Sequence, residues 1–331
     1  MEFGSVPIGE ATGGVLAHSV ALAGGKLKKG TVLGGEDVAR LREAGVERVT
    51  VARLGPDDLG EDAAALMLAQ ALIEGKPGLV LSRPFTGRVN ILAEEPGLAR
   101  LDVARLHAVN AVDEMLTLAT VPDWHRMDPG SMVATVKVIS YGVAHSGVAA
   151  AVEAGRGAIG IAPVTTRTAD LIVTEHEAGS TEDTGRGYRA IEARLTALGM
   201  TLEQVTPVPH AAGDVAFAVS ASRADMVLIL TASATSDPRD VGPEGLRQAG
   251  GQVTRFGMPV DPGNLLFYGT AADGRPVIGL PGCARSPAMN GADWVLERLA
   301  VGCPPTVAEV SAMGVGGLLK EIPTRKQPRN G

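Results

Sequence analysis

Hydroxyl and carboxylate side chains follow directly after one apolar segment of the sequence. Residues 226–230 (Met-Val-Leu-Ile-Leu) are typical of a strand buried on both faces of a parallel sheet. The side chains that follow are Thr231, Ser233, Thr235, Asp237 and Asp240. We predict that the hydroxyls contact a ligand and that Asp237 and Asp240 bind a metal ion or orient a nucleophile. The alternative, equally open from sequence, is that Asp240 only caps the next helix.

A second loop offers the best anion site in the chain. Residues 279–287 (Gly-Leu-Pro-Gly-Cys-Ala-Arg-Ser-Pro) connect an apolar strand to a predicted helix. Backbone N–H groups at a helix start and a guanidinium together favour a bound anion. We therefore expect Gly282, Arg285 and Ser286 to bind a phosphate-bearing ligand.

Two further loops carry weaker signals. Glu182 and Asp183 lie in a polar stretch ahead of a helix, which suits a phosphate or a metal, although an ordinary capped helix start is the favoured interpretation. Pro262 and Gly263 lie in a proline-stiffened turn whose rigidity lowers the entropic cost of binding. Taken alone, that turn is better explained as a wide connection between strands.

Alternating strands and helices must position these loops. Residues 171–174, 200–205 and 226–230 are predicted strands, and residues 188–198 and 214–222 are predicted helices. This order predicts an α/β fold, with a three-layer, mostly parallel sheet and ligand loops at the carboxyl ends of its strands. Residues 265–269 and 276–280 are expected to form a hairpin, a short helix to start at Pro243, and a last long helix to start at Ser286.

The amino-terminal half predicts a smaller, mixed α/β region. Short strands and a helix cover residues 15–54, a helix covers 60–75, a helical stretch lies around 103–118, and residues 132–162 have a βαβ pattern. We expect domains at residues 1–165, with a second subdomain left open, and at 166–305, followed by a tail at 306–331.

Composition excludes several function classes. Aromatic residues make up 3% of the chain and the net charge is -7, which disfavours nucleic acid as a partner. Two cysteines give neither a disulfide framework nor a zinc site, and no apolar run is long enough to span a bilayer. Neither HExxH nor GxSxG occurs, which makes a zinc enzyme or serine hydrolase a weak candidate. A cytoplasmic protein without membrane contact is expected.

Several segments resemble one family. Residues 238–244 (Pro-Arg-Asp-Val-Gly-Pro-Glu) are similar to the Arg-Asp-Val-Thr-Pro-Glu segment of molybdopterin adenylyltransferases, and residues 279–286 to the Gly-Leu-Pro-Gly-Asn-Pro-Val-Ser motif of molybdenum insertases. Residues 29–49 resemble the insertase segment that precedes this domain. The chain from about Asp170 to Leu299 thus resembles the molybdopterin-binding domain of both groups. The resemblance implies a catalytic role for Asp240 and an anion contact for Ser286.

The chain also departs from the family at three places. Residues 231–235 (Thr-Ala-Ser-Ala-Thr) stand where the family has a glycine-rich loop, which restricts close backbone approach to a phosphate. Asp261 and Asn264 replace the two lysines of the insertase Lys-Pro-Gly-Lys-Pro motif, around the retained Pro262 and Gly263. His210 replaces a second adenylyltransferase aspartate. Losing two cations weakens attraction for molybdate.

The resemblance implies a ligand and a pathway. We expect the chain to bind molybdopterin, adenylated molybdopterin or the finished molybdenum cofactor, with Mg²⁺ held by Asp237 and Asp240 as a candidate second ligand. Within molybdenum-cofactor biosynthesis it is either a divergent molybdopterin molybdotransferase or a carrier or sensor without turnover. An enzyme acting on a sugar or nucleotide phosphate is a further alternative. A molybdenum-cofactor nucleotidyltransferase is a candidate partner, and a homo-oligomer is expected.

Overall fold

Two units make up the chain, Met1–Ala162 and Pro163–Gly331. A computed structural model describes residues 1–176 and 184–319. Each unit has its own sheets and hydrophobic clusters.

The first unit contains many short strands and helices. The strands are β1 (Glu2–Pro7), β2 (Val15–Leu16), β3 (Val20–Leu22), β4 (Gly25–Leu27), β5 (Arg48–Arg53), β6 (Asp58–Gly60), β7 (Leu79–Leu81), β8 (Arg88–Ala93), β9 (Gly97–Leu101), β10 (Leu116–Thr120), β11 (Arg126–Met127), β12 (Met132–Val138), β13 (Gly142–Ala144) and β14 (Ile159–Pro163). The helices are α1 (Gly35–Glu43), α2 (Glu61–Leu72), α3 (Val103–Asn110) and α4 (His145–Gly155).

Two hydrophobic clusters hold this unit together. The first lies around the sheet ordered β1-β5-β2 and buries Leu16, Leu41 and Val51 almost completely. The second joins Leu68 of α2 to Ile91 of β8, within a four-stranded sheet ordered β10-β12-β8-β7. Burial of each aliphatic side chain contributes roughly 1.5–3 kcal/mol, so both clusters stabilise the unit.

The helix expected around residues 103–118 is shorter than predicted. It ends at Asn110, because the Asn110 side chain bonds both the N–H and the carbonyl of Leu118 at 2.8 and 2.9 Å. The Asp113 carboxylate also accepts from the Met115 N–H at 2.8 Å. Such local side-chain bonds compete with the helix, so the chain turns and continues as β10.

The βαβ interpretation of residues 132–162 is wrong. Strand β12 pairs antiparallel with β10 and β8, whereas β14 belongs to a separate sheet ordered β11-β9-β14. The strands β1, β8, β9 and β18 (Gln252–Phe256) were not predicted. The order strand, helix, strand was predicted correctly for residues 132–162. However, β12 pairs with β8 and β10, and β14 pairs with β9.

The second unit follows the predicted alternation of strands and helices. Its strands are β15 (Thr168–Glu175), β16 (Thr201–Pro209), β17 (Met226–Leu230), β18, β19 (Phe267–Thr270) and β20 (Pro276–Leu280). Its helices are α5 (Thr184–Ala197), α6 (Ala212–Ala221), α7 (Val241–Gln248), α8 (Gly291–Ala300) and α9 (Val307–Ala312). Part of the segment expected as a tail is therefore helical.

A six-stranded, mostly parallel sheet organises the second unit, as the sequence predicted. The strand order is β16-β15-β17-β20-β19-β18, in which the first four strands run parallel and β19 runs antiparallel to both β20 and β18. All five residues of β17 are buried. On one face Ile229 packs with Val219 of α6 and Leu246 of α7. Helices α5 and α8 contact β16 and β20, which completes an α/β fold with three layers.

Helix α7 begins earlier than predicted, and helix α8 begins later. Helix α7 begins at Val241, with Asp240 as its cap, so Pro243 is its third residue. Helix α8 begins at Gly291 and not at Ser286, because Asn290 and Asp293 form a capping box there. No helix among the residues described is long and apolar enough to cross a bilayer.

Candidate ligand-binding site

The carboxyl ends of the parallel strands bring two predicted loops together. Leu230, the last residue of β17, is in register with Val173 and with Leu280, the last residue of β20. Residues 231–240, which we call the hydroxyl loop, and residues 281–290, the arginine loop, therefore start side by side. Arg285 Nη2 joins them by donating to the Thr231 carbonyl at 2.9 Å.

Two of the four hydroxyls in the hydroxyl loop, those of Thr231 and Thr235, have partners within the loop. Thr231 Oγ1 donates to the Ser233 carbonyl at 2.7 Å and lies 3.0 Å from Thr235 Oγ1. Thr231 and Thr235 are each 5% exposed, whereas Ser233 is exposed. The threonines thus hold the shape of the loop, and Ser233 presents its hydroxyl to solvent.

His210 lies beside the hydroxyl loop at the end of β16. Its Nδ1 is 2.7 Å from Thr174 Oγ1, and its Nε2 is 3.4 Å from Ser233 Oγ. The His176 ring packs against it edge to face, with 4.7 Å between centroids. An imidazole therefore lies between a buried threonine and an exposed serine.

The contacts of Thr174 determine which nitrogen of His210 carries the proton. Thr174 Oγ1 accepts from the Ala232 N–H at 2.8 Å, and Thr174 is only 2% exposed. Its buried hydroxyl proton needs an acceptor, and among the described residues that acceptor is His210 Nδ1. Neutral His210 consequently carries its proton on Nε2, facing Ser233. This arrangement makes Nε2 a hydrogen-bond donor.

Burial keeps His210 neutral near pH 7. Burial lowers the pKa of His210 below its ordinary value of 6.5, the neighbouring His176 lowers it further, and the negative charge of Asp240 partly opposes both effects. A neutral imidazole with Nε2–H can donate to an anionic oxygen without losing a proton to it.

This lowered pKa predicts a pH-dependent stability of the second unit. Below pH 6.5 the unfolded chain binds a proton at this position more readily than the folded chain, so stability falls as the pH decreases through the folded pKa. Urea unfolding followed between about pH 7.5 and about pH 5 should show this decrease in the parent. It should be smaller in His210→Gln, and equal slopes in the two proteins would contradict the assignment.

Asp240 caps α7. Its Oδ1 accepts from the Val241 N–H at 2.8 Å, and its Oδ2 accepts from the Ser236 N–H at 3.1 Å. Of the two roles left open by the sequence, the cap is the one with contacts in the structure. A catalytic role for Asp240 stays a prediction.

The predicted Mg²⁺ site gains no support from the arrangement of carboxylates. Asp237 Oδ1 accepts from the backbone N–H and the Nε of Arg239, at 2.8 and 3.3 Å, and that backbone bond lowers the pKa of Asp237. Across residues 1–176 and 184–319, no group of three or more His, Cys, Asp or Glu residues is arranged to hold a metal ion.

The arginine loop is not the first turn of a long helix, which corrects the predicted anion site. Gly282–Arg285 form one short 3-10 turn, and five residues separate it from α8, which has its own cap. Ser286 Oγ accepts from the Ala288 N–H at 3.3 Å. Gly282, Arg285 and Ser286 lie in this loop and not in α8, and an anion contact from any of them stays a prediction.

Arg194 of α5 holds this loop, and sequence reasoning missed it. Its Nε pairs with Asp293, and both side chains are 12% exposed. Its Nη atoms donate at 2.8–3.0 Å to the carbonyls of Ala190, Ala284, Ser286 and Ala288. The only signal in the sequence was an arginine next to the apolar face of α5. One guanidinium therefore sets the path of residues 284–288.

The other predicted site residues lie elsewhere or outside the described residues. The Pro262 carbonyl accepts from the Gly291 N–H at 2.8 Å, and Gly263 packs closely on Gly291. Asp261 and Asn264 line a cavity of about 210 Å³. These bonds connect the segment to α8 rather than to the hydroxyl loop. Glu182 and Asp183 lie outside the described residues.

Comparisons with known proteins identify a partial family match and distant structural neighbours. The model of a domain of unknown function, DUF8806, matches residues 5–53. No curated protein matches the chain. Similar solved structures include the molybdopterin biosynthesis MoeA protein of Pyrococcus horikosii, at 13% identity and a TM-score of 0.33, covering 92% of this chain and 75% of that one.

Two further structures are more distant by TM-score. A molybdenum cofactor biosynthesis protein of Pyrococcus furiosus has 12% identity and a TM-score of 0.26, covering 92% of this chain and 66% of that one. The nicotinate-nucleotide pyrophosphorylase of Francisella tularensis has 10% identity and a TM-score of 0.18, covering 57% of this chain and 89% of that one. Neither an activity nor a ligand follows from likenesses at this level.

Proposed function

We propose that the second unit binds molybdopterin or its nucleotide form at the carboxyl edge of β15, β17 and β20, as part of molybdenum-cofactor biosynthesis. The observation that carries this proposal is the Arg285 to Thr231 hydrogen bond. It joins residues 281–290, which include most of the family-like segment 279–286, to residues 231–240, the end of which overlaps the family-like segment 238–244. Segments far apart in sequence thus meet at the edge where ligands of α/β sheets bind.

The side chains at this edge suit a phosphate-bearing ligand. Ser233 supplies an exposed hydroxyl and His210 supplies Nε2–H, 3.4 Å apart, while Arg285 supplies positive charge from the neighbouring loop. Hydrogen bonds from such donors to a phosphate oxygen are charge-assisted and about twice as strong as neutral ones. Because these groups are held by Thr174, Thr231 and Arg194, little conformational freedom is lost on binding.

Binding without molybdate insertion is the form of the function that we propose. Asp261 and Asn264 replace the insertase lysines, and the carboxylates Asp237 and Asp240 accept backbone bonds instead of converging on a metal. A carrier or sensor of the pterin needs neither the lysines nor the metal.

Anaerobic titration with molybdopterin, followed by quenching of its fluorescence, tests this proposal. Arg285→Gln and Ser233→Ala should each weaken binding about tenfold or more, because each removes a bond of about 1.5–3 kcal/mol to a charged group. The matched control is Arg223→Gln, since Arg223 is exposed at the opposite end of α6 and its side chain, among the residues described, bonds only the carbonyls of Ser220 and Ser222.

Each outcome of the titration has a definite meaning. Absence of saturable binding by the parent would overturn the function. Binding that is equally strong in the parent, the control and both variants would show that the pterin binds at another place. Melting temperatures of all four proteins separate lost binding from lost folding.

A further inference from the structure

A basic cleft of about 670 Å³ opens on the first unit and is lined by none of the residues that form the candidate site of the second unit. We define it by Lys76, Arg100 and Arg105, with Gly157 and Gly160 along its floor. The one carboxylate that lines it belongs to Asp102. Three cations around one cleft are unexpected in a chain whose net charge is -7.

Arg100 is held rigidly and still has free donors. Its guanidinium lies 3.6 Å from the centroid of the Trp124 ring, a cation–π contact. Its Nη1 alone makes both contacts with the Asp123 carboxylate, at 3.3 Å. The Nε and Nη2 atoms have no partner among the described residues, so they can donate to a ligand.

Arg105 and Lys76 present further donors to the same cleft. Arg105 is fixed by bonds from Nε to the Ala154 carbonyl at 2.9 Å and from Nη2 to the Glu153 carbonyl at 3.4 Å, which leaves Nη1. The Lys76 side chain runs along the backbone of Gly157 and Gly160. Within the described residues its ammonium has neither an ion pair nor a hydrogen bond.

The neighbouring carboxylates do not neutralise the cleft. Asp102 Oδ1 accepts from the Arg105 backbone N–H at 3.1 Å and so caps α3. Asp123 accepts from the Leu101 N–H at 2.9 Å in addition to Arg100. Among the residues that line the cleft, three cations face the single carboxylate of Asp102, at the amino end of a helix that adds positive charge.

We propose that this basic cleft binds a small molecule carrying two or more phosphate charges, through Lys76, Arg100 and Arg105. Pockets of about 300–1,000 Å³ are typical for small ligands, so the volume admits a molecule of nucleotide size. Guanidinium groups bind phosphate oxygens in pairs, and a lysine adds a mobile point charge. The cleft shares no residue with the proposed pterin site at the carboxyl ends of β15, β17 and β20, so each proposal can be tested independently of the other.

Trp124 provides a direct reporter for the test. The chain has two tryptophans, so Trp294→Phe leaves Trp124, which lies under Arg100, as the only indole. Titration with inorganic pyrophosphate at low salt should change Trp124 fluorescence saturably, and inorganic phosphate should bind more weakly. Calorimetry on the same protein gives the affinity without relying on the indole.

Lys76→Gln is the decisive variant, because the Lys76 side chain is exposed and has no ion pair or hydrogen bond within the described part of the chain. We expect it to weaken pyrophosphate binding about tenfold, and Arg100→Gln to do the same by calorimetry. Lys26→Gln, which removes an equally exposed lysine of β4, should leave the affinity unchanged. Absence of saturable binding, or equal weakening by Lys76→Gln and Lys26→Gln, would overturn the proposal.

Discussion

Replacing Arg194 by glutamine should lower the unfolding free energy of the second unit by about 3–5 kcal/mol, the cost typical of breaking a buried ion pair from one side. The Asp293 carboxylate would remain 12% exposed without its partner. The carbonyls of Ala284, Ser286 and Ala288 would lose the donor that holds them. Leaving buried groups unpaired costs more than the intact bonds contribute.

Urea unfolding at neutral pH measures this effect, and Arg223→Gln again serves as the matched control. Exposed substitutions usually change stability by less than about 0.5 kcal/mol, so the control should resemble the parent. Pterin binding should also weaken in Arg194→Gln, since the carbonyl of Ser286 is one of its contacts. Equal stability of Arg194→Gln and Arg223→Gln would show that the arginine loop holds its shape without this guanidinium.

The parallel sheet was predictable from sequence because its strands are buried on both faces. Residues 226–230 contain no polar residue, and the structure buries every one of them. Loops at the carboxyl ends of such strands must lie near one another, which is why the meeting of residues 231–240 with 281–290 followed from the predicted fold. Local apolar patterns were therefore sufficient to predict the parallel sheet of the second unit.

The role of Arg194 could not be predicted, because its partners in the arginine loop and α8 are 90 to 99 residues away. The start of α8 could not be predicted either, since Ser286 and Asn290 are both good helix caps. Tertiary packing selects Asn290: Gly291 lies against Met258 and Val260, too close for any side chain on that glycine. Long-range contacts determine both the role of Arg194 and the start of α8, and a single sequence does not show which distant residues are in contact.

The first unit shows the same limit in its sheets. The predicted elements at residues 132–162 exist, yet β12 pairs with β8 and β10 instead of β14. Only three of the six residues of β8 are buried, and the Asn110 side chain, which bonds Leu118, ends α3 before β10. Pairing partners depended on strands that the apolar pattern alone did not reveal.

Thr174→Val is expected to lower the unfolding free energy by about 1–3 kcal/mol. It should also remove the hydrogen bond that keeps the proton of neutral His210 on Nε2. Valine has the shape of threonine but no hydroxyl, so the Ala232 N–H loses its acceptor and His210 Nδ1 loses its donor. Thr174→Ser keeps the hydroxyl and removes one buried methyl group, which costs about 0.8 kcal/mol. The serine variant is therefore the control for the hydrogen bonds.

Nitrogen-15 NMR of the histidine side chains distinguishes the two roles of Thr174. In the parent, His210 should be a neutral imidazole with a bare Nδ1 and a protonated Nε2, and comparison with His210→Gln assigns its signal among the six histidines. Thr174→Ser should keep this tautomer. In Thr174→Val both nitrogens compete for the proton, so the Nδ1–H form should become populated.

A parent signal with the proton on Nδ1 would contradict the tautomer, and it would make Nε2 an acceptor toward Ser233 instead of a donor to a phosphate. A valine variant as stable as the parent would instead show that the Ala232 N–H and His210 find other partners, and the Thr174 hydroxyl would then have no part in holding the pterin edge.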